Sequence, residues 1–184
     1  MQSIKVVVVG DALVGKTSLV ATMTKQPPQP HAGDTSSMIF DAAGKPINIT
    51  FHEVLAGEDN ARLRPLLYPQ TDVFLLCFAV DSRKSFENVT DVWHTEIRRH
   101  CPNVPVLLVG TKGDIKENSI ETHEGNEKAK EIGAMKYFAV SSQNKEGIFE
   151  DFALLDNIPG SVCSYLHHKR KAMEQQKAKN CSVQ

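Results

Sequence analysis

Ile4-Lys5-Val6-Val7-Val8-Val9-Gly10-Asp11-Ala12-Leu13-Val14-Gly15-Lys16-Thr17-Ser18-Leu19 decides the architecture of this chain. Its first part is a nearly unbroken run of β-branched residues that stops at a glycine, the composition required of a strand buried on both faces of a parallel sheet. Its second part, Gly10 to Thr17, fits G-x-x-x-x-G-K-[ST], and Thr17 to Thr24 carries helical signals. Strand, glycine-bounded loop and helix in that order make a phosphate cradle. The glycines let the backbone of Gly10, Asp11, Ala12, Leu13, Val14 and Gly15 curl so that successive N–H groups converge on phosphates, and the helix N-terminus adds its dipole. Lys16 is expected to reach the outer phosphates and the hydroxyl of Thr17 to coordinate Mg²⁺, with Ser18 counted among the nucleotide-binding residues.

Outward from this stretch, strands are predicted around Ser37 to Asp41 and Ile47 to Glu53, joined by the hairpin signal Gly44-Lys45-Pro46. Val73 to Val80 and Val104 to Val109 are further buried-strand runs, with Phe86 to His100 between them at helical spacing. Ile120 to Ile132 reads as a helix, Tyr137 to Val140 as a short last strand and Ile148 to Leu155 as the start of a final helix that Asn157-Ile158-Pro159-Gly160 should end or kink. The alternation implies an α/β fold: an open, mostly parallel central sheet with helices on both faces and its sites at the carboxyl ends of the strands.

At 184 residues the chain fits one domain, and 41% hydrophobic with 23% charged residues lets it bury a core. Lys plus Arg number 21 against 22 for Asp plus Glu, so no overall electrostatic footprint for nucleic acid is expected. Cys77, Cys101, Cys163 and Cys181 show no C-x-x-C spacing and no secretory signal precedes them, so a disulfide framework is not expected and the cytoplasm is. His52, His94 and His123 fall in no metal-ligand spacing, and Trp93 reads as a core residue.

A phosphate loop does not choose the base. Thr111-Lys112-Gly113-Asp114 follows the strand ending at Gly110, and an aspartate there can accept two hydrogen bonds from N1 and N2 of guanine, a pair that adenine does not offer. The aliphatic stem of Lys112 can lie against the base, and Ser141-Ser142 can supply a hydroxyl and a backbone N–H. Read alone, such a loop is an ordinary solvated turn; its place after a phosphate loop makes it a guanine site.

The phosphate loop, Arg62-Leu63-Arg64-Pro65-Leu66, Tyr68-Pro69-Gln70-Thr71-Asp72, Ser85-Phe86-Glu87-Asn88-Val89, His100-Cys101-Pro102-Asn103, Val109-Gly110-Thr111-Lys112 and Ala129 to Tyr137 together resemble the Rho family of small GTPases, its Rac-like branch in particular. The resemblance implies the Ras-like P-loop NTPase fold, GTP and GDP as ligands with Mg²⁺, exchange factors and GTPase-activating proteins as regulators, and effector proteins as outputs. It is incomplete in ways that bear on chemistry. Ala12 replaces the family's glycine and puts a methyl group where the attacking water and an inserted arginine must fit. Where the family reads D-T-A-G-Q-E, this chain reads Glu53-Val54-Leu55-Ala56-Gly57-Glu58: Glu53 stands for the Mg²⁺-side aspartate, and Gly57, or Glu58 with a slip of one residue, stands for the water-orienting glutamine. The threonine that closes over Mg²⁺ has one counterpart, Thr35 in Asp34-Thr35-Ser36, which reads equally as a loop hydroxyl. The segment Ile115 to Thr122 is too short for the helix that Rho proteins insert there, so the chain reads as an atypical or truncated relative.

Cys181-Ser182-Val183-Gln184 fits the C-a-a-X prenylation box, and Lys169, Arg170, Lys171, Lys177 and Lys179 precede it against one acid, Glu174. A prenyl group on Cys181 beside this basic run would give the two signals needed for stable attachment to a membrane. The expected organisation is a nucleotide-binding domain over 1–166 and a basic tail over 167–184. The readings left open are a slow GTPase switch at a membrane surface, a nucleotide-loaded interaction module that does not turn over, and a scaffold that holds no nucleotide.

Overall fold

A computed structural model describes residues 2–27, 35–42, 44–149, 154 and 156–160. β1 (Gln2–Gly10) shows why the valine run is continuous. Val6 and Val8 pack into the core on one face of the sheet and Val7 and Val9 into the core on the other, so alternation places every side chain in an apolar layer. α1 (Lys16–Thr24) covers the first face with Leu19, Val20 and Met23, joined by Ile148, Leu154 and Ile158.

β2 (Thr35–Ala42) and β3 (Lys45–Glu53) form the antiparallel hairpin, turned at Gly44, whose φ is +80° and whose N–H donates to Asp41 Oδ1 at 2.6 Å. β4 (Val73–Ala79), β5 (Val106–Thr111) and β6 (Lys136–Ala139) complete a sheet in the order β2-β3-β1-β4-β5-β6, parallel except at the hairpin. β1 is central, and successive connections leave it to opposite sides, so a crevice opens at its carboxyl end.

The second face is covered by α2 (Arg83–Asn88), a π-helical segment Val89–His94, α3 (Thr95–His100) and α4 (Thr122–Glu131). Phe86, Val89, Trp93 and Ile97 sit on one stripe across the first three, as the helical spacing of Phe86 to His100 requires. The π-helical turn within that stretch is not visible in the sequence pattern. α4 starts at Thr122, later than Ile120, because Glu121 and Glu124 close a capping box while Ile120 is buried in the core.

Three other expectations are corrected. Thr35 and Ser36 are strand residues, since β2 pairs with β3 from Thr35↔His52 onward. Ile148 lies in a turn, buried, and so is not the start of the last helix. Residues 156–160 are helical, so Pro159 and Gly160 do not break the helix; Leu154 and Ile158, one turn apart and fully buried, anchor it on the sheet.

Candidate functional site

The crevice is formed by the loop after β1. Gly10 has φ +144°, and a Cβ there would collide with the backbone carbonyl of Cys77 on β4, so the close approach requires glycine. Gly15, at φ +93°, precedes α1 and no side chain caps the helix, which leaves its first N–H groups to point into the crevice. Leu13 is at φ +62° and 92% exposed at the loop's crest, Val14 is buried, and Ala12 and Ser18 are exposed. Lys16 is only 6% exposed, and its Nζ donates to Gly10 O at 2.9 Å and Asp11 O at 2.7 Å. An ammonium has three donors, so one stays available to a phosphate. Burial pushes this ammonium below the ordinary lysine range, opposed by Cys77, Glu53 and Asp11 nearby.

Thr17 Oγ1 donates to Glu53 Oε1 at 2.5 Å, bringing the first residue after the phosphate lysine to the end of β3. A hydroxyl and a carboxylate oxygen in contact beside the loop are the hard donors that Mg²⁺ selects, so these residues fit the metal expected from the sequence. Among the described residues no group of three His, Cys, Asp or Glu forms a separate metal cluster.

At the other end of the crevice, Thr111 is buried with its hydroxyl between the carbonyls of Val14 and Phe78, which fastens the phosphate loop to β4 and β5. Lys112, at φ +59°, pairs with Asp81 at 3.1 Å. Ser141, fully buried, donates to Asp114 Oδ1 at 2.6 Å and accepts from the N–H groups of Gln143 and Asn144. That hydrogen bond holds the exposed Asp114 carboxyl below the usual aspartate range, so it is an anion ready to accept. A cavity of about 600 Å³ runs between the two ends, lined among others by Gly15, Ser18, Thr111, Lys112, Asp114 and Ser142. Its size suits a small-molecule ligand.

With this geometry stands a family comparison: residues 5–158 match the model of the Ras family. The chain belongs to the Ras family. The six-stranded, mostly parallel sheet with flanking helices is the Ras-like domain, and the members of this family are small GTPases that bind GTP and GDP, typically with Mg²⁺. The phosphate loop, Thr17 with Glu53, and the Asp114 rim are where this Ras-family chain presents the corresponding residue types.

Other predicted positions lie apart from the crevice or are engaged elsewhere. Thr35, exposed at the start of β2, has its hydroxyl 3.3 Å from His52 Nδ1. Gly57 and Glu58 are both exposed; Gly57 has φ +117° and its carbonyl accepts from Arg64 Nη1 at 2.7 Å. Arg64 in turn makes a bidentate pair with Glu96 at 3.1 and 2.6 Å, and Tyr68 Oη donates to the same carboxylate at 2.5 Å. Cys181, Cys163 and the basic run of the tail lie outside the described residues.

Three residues of the Ras-family site escaped the sequence reading. Asp81 is the partner of Lys112, while Asn88 and Trp93 donate to the two carboxylate oxygens of Asp11. Nothing local marks them: Trp93 does occupy the core, and only the fold aims its N–H at the loop.

Proposed function

We propose that this chain is a Rho-type, Rac-like member of the Ras family that binds guanine nucleotide in the crevice, hydrolyses GTP slowly and signals to effector proteins at a membrane surface. The observation that carries the binding reading is one continuous cavity reaching from Gly15 and Ser18 at the phosphate loop to Asp114 at the far rim. The open N–H groups of α1 and Lys16 take the phosphates, and Asp114 takes N1 and N2 of guanine. Thr17 and Glu53 would hold Mg²⁺, which supplies positive charge against the phosphate oxygens when bound.

Slow hydrolysis follows from what faces the attacking water. Neither Gly57 nor Glu58 offers the amide that orients a nucleophile, and the Ala12 methyl group stands at the loop. Loss of such positioning costs on the order of a hundredfold in rate. A second reading, a nucleotide-bound module that does not cycle, is favoured by Thr35 and Arg64: one is committed to the β2–β3 hairpin, and the other clamps Gly57 to α3. A switch needs segments whose contacts differ between its two ligands.

Denaturing the purified protein, identifying the nucleotide released and following single-turnover hydrolysis of loaded GTP separates these readings. Recovered GDP with measurable turnover supports the slow switch, and GTP without turnover supports the module. Neither nucleotide, with no heat on adding either, overturns both. Anchoring by a prenyl group on Cys181 predicts that Cys181→Ser shifts the protein from membranes to the soluble fraction; unchanged partition refutes it.

A further inference from the structure

Asp11 is fastened from a distance. Trp93 Nε1 donates to its Oδ1 at 2.7 Å across 82 residues, and Asn88 Nδ2 donates to its Oδ2 at 2.7 Å. The backbone oxygen of the same Asp11 accepts from Lys16 Nζ at 2.7 Å. The residue that orients the phosphate lysine is therefore itself held by an indole and an amide.

Trp93 is in turn rigidly supported. It is 3% exposed within the π-helical turn Val89–His94, and the Arg64 guanidinium lies over its ring, 4.8 Å from the centroid. Arg64 is fixed by Glu96 and by Gly57 O. Packing alone would be served by any large apolar side chain. Only tryptophan fills the core and also presents an N–H to the loop carboxylate.

We propose that Trp93 is a positioning residue for the phosphate loop, fixing Asp11 through its indole N–H, and through Asp11 the carbonyl that orients Lys16, so that it slows nucleotide release. This rests on the guanine-nucleotide reading above. A hydrogen bond to a carboxylate in a half-buried setting is strong enough for its loss to speed release about tenfold.

The test uses the full-length protein with Mg²⁺ and a fluorescent GDP analogue. Absence of any binding by the unmodified protein, checked by calorimetry with GDP, overturns the underlying reading and this inference with it. If it binds, Trp93→Phe keeps a ring beneath Arg64, removes the donor and is expected to speed release about tenfold. In an Asp11→Ala background the same change is expected to alter release by less than about twofold. Unchanged release in Trp93→Phe, or equal acceleration in both backgrounds, overturns the proposal alone, because Trp93 would then be acting by packing or not at all.

A second readout does not depend on Trp93→Phe folding. The chain has one tryptophan, so ¹⁵N-labelled protein gives a single indole N–H resonance. It is expected to shift on addition of GDP and again in Asp11→Ala; a resonance indifferent to both overturns the assignment.

Discussion

Asp114 has to be an anion for its hydrogen bonds to guanine, and the Ser141 hydroxyl at 2.6 Å keeps it one. Inosine diphosphate lacks the 2-amino group, so it offers this carboxylate one donor where GDP offers two. Calorimetry should find GDP bound about tenfold more tightly than inosine diphosphate at neutral pH. Asp114→Ala should weaken GDP binding about a hundredfold and close the gap between the two ligands. The pH dependence has a definite sign. A carboxyl held below its ordinary range stays charged as acid is added, so the preference for GDP should persist down to about pH 4. A preference fading between about pH 7 and pH 5 would show that another group reads the base.

Helix α4 carries a glycine, Gly125, where helix propensity alone would favour alanine by about 1 kcal/mol. Tyr137 reverses the sign: a Cβ on Gly125 would fall inside the van der Waals envelope of its ring, which stacks on Phe78. Gly125→Ala should therefore cost about 2–3 kcal/mol in urea unfolding. Tyr137→Phe should be neutral or stabilise by about 1 kcal/mol, because the buried hydroxyl finds no partner among the described residues. Contact between α3 and the Arg64–Leu67 turn behaves differently, since it is charged. Burial pushes Glu96 up, but the hydrogen bonds from Arg64 and Tyr68 outweigh it and hold the carboxyl below the ordinary glutamate range. Its contribution to stability is present above the unfolded value, about 4.3, and is lost as pH falls through the lower folded value. Glu96→Gln should cost about 2–3 kcal/mol at neutral pH. Chemical denaturation should find that difference shrinking below about pH 4, and a constant gap would mean that the ion pair does not contribute.

For the molecule as a whole, a ligand that binds only the folded chain stabilises it by mass action. GDP with Mg²⁺ at about a hundred times its dissociation constant should add about 2.7 kcal/mol and raise the melting temperature by roughly 5–10 °C, with part of the gain lost when a chelator removes Mg²⁺. Differential scanning fluorimetry checks both. The fold class and the phosphate chemistry were legible in the chain itself, because both depend on neighbours in sequence: the alternation that buries Val6 to Val9 on two faces, and the backbone curl between Gly10 and Gly15. Asp114 was legible for the same reason, from its place just after β5. Other features depended on pairing at a distance. Thr35 belongs to a strand because β3 pairs with it, and the helix runs through Pro159 because Leu154 and Ile158 bury against the sheet. Glu53 with Thr17, Asp81 with Lys112, and Asn88 and Trp93 with Asp11 meet across separations of 31 to 82 residues. No short-range pattern encodes such meetings; strand order and helix packing bring these side chains within hydrogen-bond reach, so only the tertiary structure could decide them.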